Sequence, residues 1–483
     1  MRSPTLPSRT LPAAALALGA IAALAAYPPP TASAQRPVQG SAAASYVAVD
    51  AEIVALTGVT LIDGTGGAVQ RGRTIVIEGN RITAVGPDGR VSIPGGASVL
   101  DMSGHTVIPG LVGLHNHLYY TAAGGRAAQL TYSAPRLYLG SGVTTVRTTG
   151  SRQPYAEINL REEIEAGRAP GPRIHVTAPY ITGGGGLTGM TLIGSPEQAR
   201  RFVRYWAAEG ATWLKAYTRI SSEDLAAAID EAHQQGIKVT GHICSVSFTE
   251  AVELGIDNIE HGLPTNSDYY PGRGKDECPN DIMAQALTVD VNSPEVAHTF
   301  RTMIDAGVPM TSTLAVYELF FQGRPVRDQR SLDAMSPAVR ADYLASKAQI
   351  DEVGRDPAGL LNAIAYEKAF HDAGGVLAAG VDPTGNGGAL PGYGDQRNYE
   401  LLSEGGFAPA DAIRVMTANG AMVLGEDDLG TVEPGKIADL VVLSGDLTAD
   451  PSVIRNVTVV FKDGVGYDSP KMLEDVRGLV GIR

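Results

Sequence analysis

Hydrophobic and polar residues follow one rhythm at the two ends of the chain and another in between. Residues 53–66 (IVALTGVTLIDGTG), 72–87 (GRTIVIEGNRITAVGP) and 97–104 (ASVLDMSG) alternate Val, Ile and Thr with polar residues, punctuated by Gly-Asn and Gly-Gly. A period of two bounded by such turns predicts short, half-buried strands. Residues 430–446 and 457–468 repeat the pattern. The two β-rich ends, 49–104 and 430–483, are expected to meet as one small β-sandwich.

The middle, 105–429, alternates strand and helix. Eight short apolar runs occur, at 106–117, 142–148, 173–180, 212–217, 237–243, 257–262, 308–314 and 376–383. Helical stretches precede several of them. Those at 195–211 and 221–236 each begin with a serine suited to an N-cap, and the second ends at Gly236. Strands alternating with helices imply parallel βα units. Eight units predict an α/β fold, a (β/α)8 TIM-type barrel, with its chemistry at the C-terminal ends of the strands.

Length and composition narrow the function. The chain has 483 residues, enough for a large core and more than one structural unit. Its formal charge is −14, with no long basic run, which argues against nucleic acid as a partner. Arg2 and Arg9, the apolar run 11–26 and the small residues 32–34 before Gln35 read as a signal peptide over 1–34. The mature protein is then periplasmic or secreted, and no later run reads as a membrane span. Only two cysteines occur, Cys244 and Cys278. In an oxidising compartment they could pair; free thiols are the other reading.

The residues at the strand ends carry the chemistry. The run 107–120, VIPGLVGLHNHLYY, ends the first barrel strand with His115 and His117 one residue apart. Side chains alternate along a strand, so both imidazoles face one side and Asn116 the other. Two neutral imidazoles on one wall can bind a divalent cation. The fifth strand ends in His242, the sixth in His261 and the eighth in Asp382, while Lys215 lies on the fourth in an apolar context. Each alone has an ordinary reading: a core histidine, an ion-paired lysine, an N-cap aspartate. Together they converge on one rim. Lysine is ordinarily a cation at neutral pH and would be repelled by metals. Carboxylated by CO2 it becomes an anionic carbamate that can bridge two of them.

These motifs, PGLVGLHNH, WLKAY, GHI, EHG, GVDP and the late GTVEPGKIADLVVL, together resemble the metal-dependent amidohydrolase superfamily over nearly the whole mature chain. The resemblance is greatest to its binuclear, carboxylated-lysine branch, which includes imidazolonepropionase-like enzymes, Xaa-Pro dipeptidases and ochratoxinase. It implies that His115, His117 and Asp382 hold the more buried metal, that His242 and His261 hold the second, and that carboxylated Lys215 bridges them. Two divalent ions, as Zn2+, are the expected cofactors. The family often carries an aspartate where this chain has Gly113, which leaves open how the first strand is buttressed. A homo-oligomer is common among similar enzymes, but no interface is legible here.

Such a constellation hydrolyses an amide or related C–N bond. Two metals lower the pKa of a shared water, and Asp382 takes its proton and passes it to the leaving nitrogen. The expected substrate is a small molecule or short peptide, such as a dipeptide or N-acyl amino acid. A cyclic amide, lactone or phosphotriester on the same site is the alternative, and a barrel that binds without catalysis the third reading. Tyr217, two residues beyond Lys215, shares its face and can donate to an oxyanion. Arg219 is a candidate carboxylate clamp, with a solvated or structural arginine as the plainer reading. Tyr119 and Tyr120 line the mouth or pack. The glycine-rich run 180–190, the segment 263–297 and the loop after Asp382 are expected to shape the site. His105, His175, His233, His298 and His371 fit no ligand position.

Overall fold

The computed structural model describes residues 36–481 apart from 122–126, 188, 325–327 and 385–386. The proposed signal peptide lies outside the described residues. No helix among the described residues is long and apolar enough to cross a membrane.

Eight parallel strands form the central sheet: β1 (Leu111–Asn116), β2 (Val143–Thr148), β3 (Arg173–Thr182), β4 (Trp213–Ala216), β5 (Lys238–Gly241), β6 (Asn258–Glu260), β7 (Met310–Ser312) and β8 (Leu377–Ala379). Each pairs with the next in sequence. Lys215 on β4, for instance, stands between Tyr180 on β3 and Thr240 on β5. Closure between β8 and β1 is made just beyond the strands, where the Asp382 N–H donates to the His115 carbonyl at 2.7 Å. Gly380 permits that approach, because a Cβ there would lie 2.3 Å from the His115 nitrogen. The result is the expected barrel, nearly closed.

The helices between strands follow the expected caps. Ser195 accepts from the Gln198 N–H at the start of helix Pro196–Ala208, and Ser221 from the Asp224 N–H at the start of helix Ser222–Gln234. Each cap satisfies a backbone donor that the helix itself leaves unpaired. Their apolar faces, including Val203, Leu225 and Ile229, join the core around the strands.

The two ends of the chain meet in one nine-stranded sheet. Its path runs from Val47–Val49 through Val465–Asp468, Val457–Lys462, Leu440–Ser444, His105–Pro109, Ile53–Leu61 and Gln70–Glu78 to Arg81–Pro87. The sheet curls over its own apolar core, which holds Val54, Leu56, Ile75, Leu440 and Phe461. Its far hairpin returns to the C-terminal segment, the Ile82 N–H donating to Lys436 and the Ala438 N–H to Asn80. The first apolar run, 106–117, is thus divided: His105–Pro109 belongs to this sheet, Gly110 follows, and Leu111–Asn116 enters the barrel.

Cys244 and Cys278 form a disulfide with Cα atoms 5.1 Å apart. It ties the segment after β6 to the turn just beyond His242. That segment is not a bare loop; it carries the short helix Ile282–Ala286. The bond closes a loop of 34 residues. Replacing both cysteines by serine is expected to cost about 2–4 kcal/mol of unfolding free energy. Denaturant melts of wild type with and without reductant, beside the double variant, check this; coincident midpoints for all three would disprove it.

Candidate active site

The C-terminal end of the barrel opens into a cavity of about 400 Å3 lined by His115, His117, Lys215, Tyr217, His242 and Asp382, with the His261 ring 4.2 Å from that of His242. The strand geometry explains the convergence. His115 and His117 point to the same side of β1, and each places Nε2 near the Asp382 carboxylate, at 3.6 and 3.2 Å. Asn116 points the other way. Its Nδ2 donates to Asp395 at 3.2 Å and its Oδ1 accepts from the Val381 N–H at 3.1 Å. This answers how β1 is buttressed without an aspartate at position 113: a Cβ on Gly113 would sit 2.1 Å from Asn116 Nδ2. The glycine makes room for an amide that ties β1 to the turn after β8.

His261 reaches the same centre by a different route. Glu260 and His261 are sequence neighbours, so alternation alone would send them to opposite faces. His261 instead has φ 74° and Asp382 φ 47°. Both are non-glycine residues in the left-handed region, a backbone cost that concentrates at functional positions. The turn lets Glu260 and His261 both face the interior. The His115 and His261 rings are 4.4 Å apart. One donor atom from each of His115, His261 and Asp382 lies within 4.8 Å of the others.

Glu260 was not singled out by its sequence, yet it organises the floor of the site. It is fully buried. One oxygen receives His115 Nδ1 at 2.7 Å; the other receives Arg147 at 2.5 Å, Asn258 at 3.0 Å and the Thr240 hydroxyl. Burial works against its ionisation, but Lys215 and Arg147 more than offset that and hold it below the usual carboxylate range. His261 Nδ1 is similarly tied to the Thr313 hydroxyl at 2.8 Å. In both histidines Nδ1 is anchored; His115 turns Nε2 toward Asp382 and His261 Nε2 is buried without a hydrogen-bond partner, and such anchoring orients a metal ligand.

The electrostatics agree with that role. Burial, then Lys215, pushes His115 well below the ordinary imidazole range, and the same two causes bring His242 to about 3. His261 falls likewise, by burial and then by its histidine neighbours. At neutral pH these imidazoles are neutral, the form that binds metal. Burial brings Lys215 down to about 8, against an opposing pull from Glu260. Its Nζ has no hydrogen-bond partner and lies 4.0 Å from Glu260. An amine buried without a partner is costly unless something completes it. Asp382 is pushed up by burial but held below its ordinary value by His115, His117 and the Thr384 hydroxyl, which donates at 2.8 Å. The residues fit a metal centre: converging neutral nitrogens, a carboxylate among them and an uncompleted lysine.

Tyr217 lines the cavity, its ring edge-on to Tyr180 and 4.6 Å from His242. Tyr119 also lines it, its hydroxyl 2.5 Å from that of Tyr180, whereas Tyr120 is buried and accepts from the Gly388 N–H. Arg219 is not brought into the site. It is exposed and donates to Asn280 at 3.3 Å. Arg152, on the turn after β2, lines the cavity instead. Of the five other histidines, none lines it; His233 pairs with Asp257, and His175 lies 3.1 Å from Glu426.

The amidohydrolase family model matches residues 106–466. The chain belongs to the amidohydrolase family. As a member it is a hydrolase acting on carbon–nitrogen bonds. Among curated relatives, the enamidase of Eubacterium barkeri is 24% identical over 77% of this chain and 82% of its own length. The dihydroorotase of Pelotomaculum thermopropionicum is 23% identical over 82% and 90%. Among solved structures, a putative prolidase from Bifidobacterium longum is 28% identical with a TM-score of 0.63, covering 88% of this chain and 99% of that one. The ochratoxinase of A. niger shares the fold at 18% identity and a TM-score of 0.63, over 89% and 100%. The prolidase and the ochratoxinase are of the kinds that the motifs resemble.

Two changes probe the support of the site. Gly113→Ala places a methyl against the Asn116 amide and is expected to destabilise by about 1–3 kcal/mol, read as a lowered melting temperature. Glu260→Gln leaves the shape but removes the charge that holds His115, and is expected to weaken metal binding about 10–100-fold in a chelator competition. Unchanged affinity in the second case would show that Glu260 does not orient His115.

Proposed function

We propose that the protein is an exported hydrolase that cleaves the amide bond of a small N-acyl amino acid or dipeptide at a pair of divalent metal ions. The observation that carries this reading is the buried Lys215 amine, without a hydrogen-bond partner beside converging His115, His117, His242, His261 and Asp382. His115, His117 and Asp382 would hold one ion, His242 and His261 the other, and Lys215 as its carbamate would lie between them. When bound, such ions acidify water and polarise a carbonyl.

The chain's own residues supply the rest. Asp382 presents one carboxylate oxygen to His117 and the other toward His115 and His261. Placed there and ionised, it takes a proton at the centre and returns it to a leaving nitrogen. The Tyr217 phenol stands at the cavity wall and is kept protonated by burial, so it can donate to a developing oxyanion. Export is supported by the leader-like residues 1–34 and by the Cys244–Cys278 disulfide, a bond that persists in oxidising compartments.

Metal analysis of the purified mature chain tests the reading. Wild type is expected to carry about two zinc ions per chain, and Lys215→Ala clearly fewer. A fully active wild type with one ion or none would overturn the paired site. Asp382→Asn is expected to lower kcat by about 10²–10⁴-fold on any amide that wild type turns over, and near-normal turnover would remove the proton-shuttle role.

A further inference from the structure

We propose that Arg152 is the anchor for a substrate carboxylate, and that the opposite wall of the cavity receives an apolar group. The substrate is then a free acid with a bulky hydrophobic end. This rests on the amide-hydrolase reading above and names the class of amide that the site selects.

Among the described residues, three formally charged side chains line the cavity: Asp382, Lys215 and Arg152. Asp382 and Lys215 belong to the centre itself. Arg152 stands at the rim and is exposed. In this chain of net charge −14, arginines are mostly spoken for: Arg147, Arg173, Arg204, Arg324, Arg397 and Arg455 all pair with carboxylates. Among the described residues no carboxylate pairs with Arg152. Its guanidinium lies 5.1 Å from the Tyr119 ring centroid. Tyr119 in turn stacks on His117, with centroids 4.7 Å apart. One tyrosine, whose hydroxyl is hydrogen-bonded by Arg152, therefore separates a cation that no described carboxylate neutralises from a proposed metal ligand. The glycine-rich run abuts it, since a Cβ on Gly189 would meet Arg152 at 3.2 Å. A planar guanidinium braced on an aromatic face is the group best shaped to take a carboxylate by two parallel hydrogen bonds.

Leu187 and Met190 of the glycine-rich run also line the cavity, but among the described residues the facing wall carries no charged side chain. Arg152 follows β2, whereas Ile282 and Met283 come from the segment after β6 and Val316 and Phe320 from the segment after β7, across the barrel. All four line the cavity, and none of them carries a polar group to satisfy. A ligand spanning the site meets a cation at one end and apolar surface at the other, with the histidines and Asp382 between. Such a division binds an acid whose amide joins it to a hydrophobic group.

The test uses the zinc-loaded enzyme with N-benzoyl-L-leucine and its C-terminal carboxamide, following benzoate release and, by calorimetry, binding. Wild type is expected to favour the free acid about 10- to 100-fold in kcat/KM, mostly through KM. In Arg152→Gln that preference collapses toward one; Arg152→Lys keeps part of it. A wild type without preference, or a preference that survives in Arg152→Gln, overturns the anchor while leaving amide hydrolysis intact. If neither compound is hydrolysed, the amide reading fails on this pair and the anchor is judged by binding. Tighter binding of the acid, lost in Arg152→Gln, supports it; equal or absent binding overturns it.

Discussion

A carboxylate shut off from water underlies the arrangement of the whole active end. Glu260 has no exposed surface, and a lone ion in such a place would be strongly disfavoured. It is tolerable because Arg147 neutralises it and because His115, Thr240 and Asn258 occupy its oxygens. Each partner comes from a different strand: β1, β2, β5 and β6 itself. Arg147 is held in turn, its Nε donating to the Leu114 carbonyl and its guanidinium lying 4.3 Å from the Trp213 ring centroid. Buried ion pairs seldom add much net stability against well-packed apolar residues. What this one provides is position. It sets which nitrogen of His115 carries the proton, and it places negative charge within 4.0 Å of Lys215.

Two of the four left-handed non-glycine residues among the described residues fall in the same place. His261 and Asp382 adopt a conformation in which glycine would be cheaper, and both aim a donor at the centre. Asp382 also closes the barrel through its N–H to the His115 carbonyl, so the turn that positions its carboxylate is the turn that joins β8 to β1. Barrel closure and the proposed proton transfer share one residue.

Much of this was legible in the sequence, for identifiable reasons. The barrel could be read because eight apolar runs recur between amphipathic helices, and the terminal sheet because period-two alternation appears at both ends. The His115–His117 pair was readable because side-chain direction on a strand is fixed by its pleat, and Asp382 because it follows the eighth apolar run at the end where a barrel carries its chemistry. Glu260 was not, since alternation placed it opposite His261 and only a left-handed residue brings the two together. Gly113 looked like a departure until Asn116 supplied the steric reason. Arg219 was singled out and Arg152 was not, because both lie in connections whose direction depends on tertiary packing. Nor does Cys-to-Cys spacing say whether two distant thiols meet.

The opposite end of the barrel explains why the active end can be built from costly parts. At the start of β3, Arg173 donates to Asp439 at 3.2 Å and to Asp463 at 2.8 Å, both on the C-terminal side of the terminal sheet. Burial raises Asp439, with Arg173 opposing, and the Asp463 backbone N–H donates to the Asp439 carboxylate at 2.8 Å. These contacts bolt the sheet to the base of the same strand whose far end carries Tyr180 to the cavity. The base of that strand is thus fixed in position by a charged, hydrogen-bonded junction with the terminal sheet. The left-handed turns at His261 and Asp382, the buried Lys215 amine without a hydrogen-bond partner and the arginine that no described carboxylate neutralises all lie in or beside the cavity, and each is an arrangement that a protein selected for stability alone would not retain.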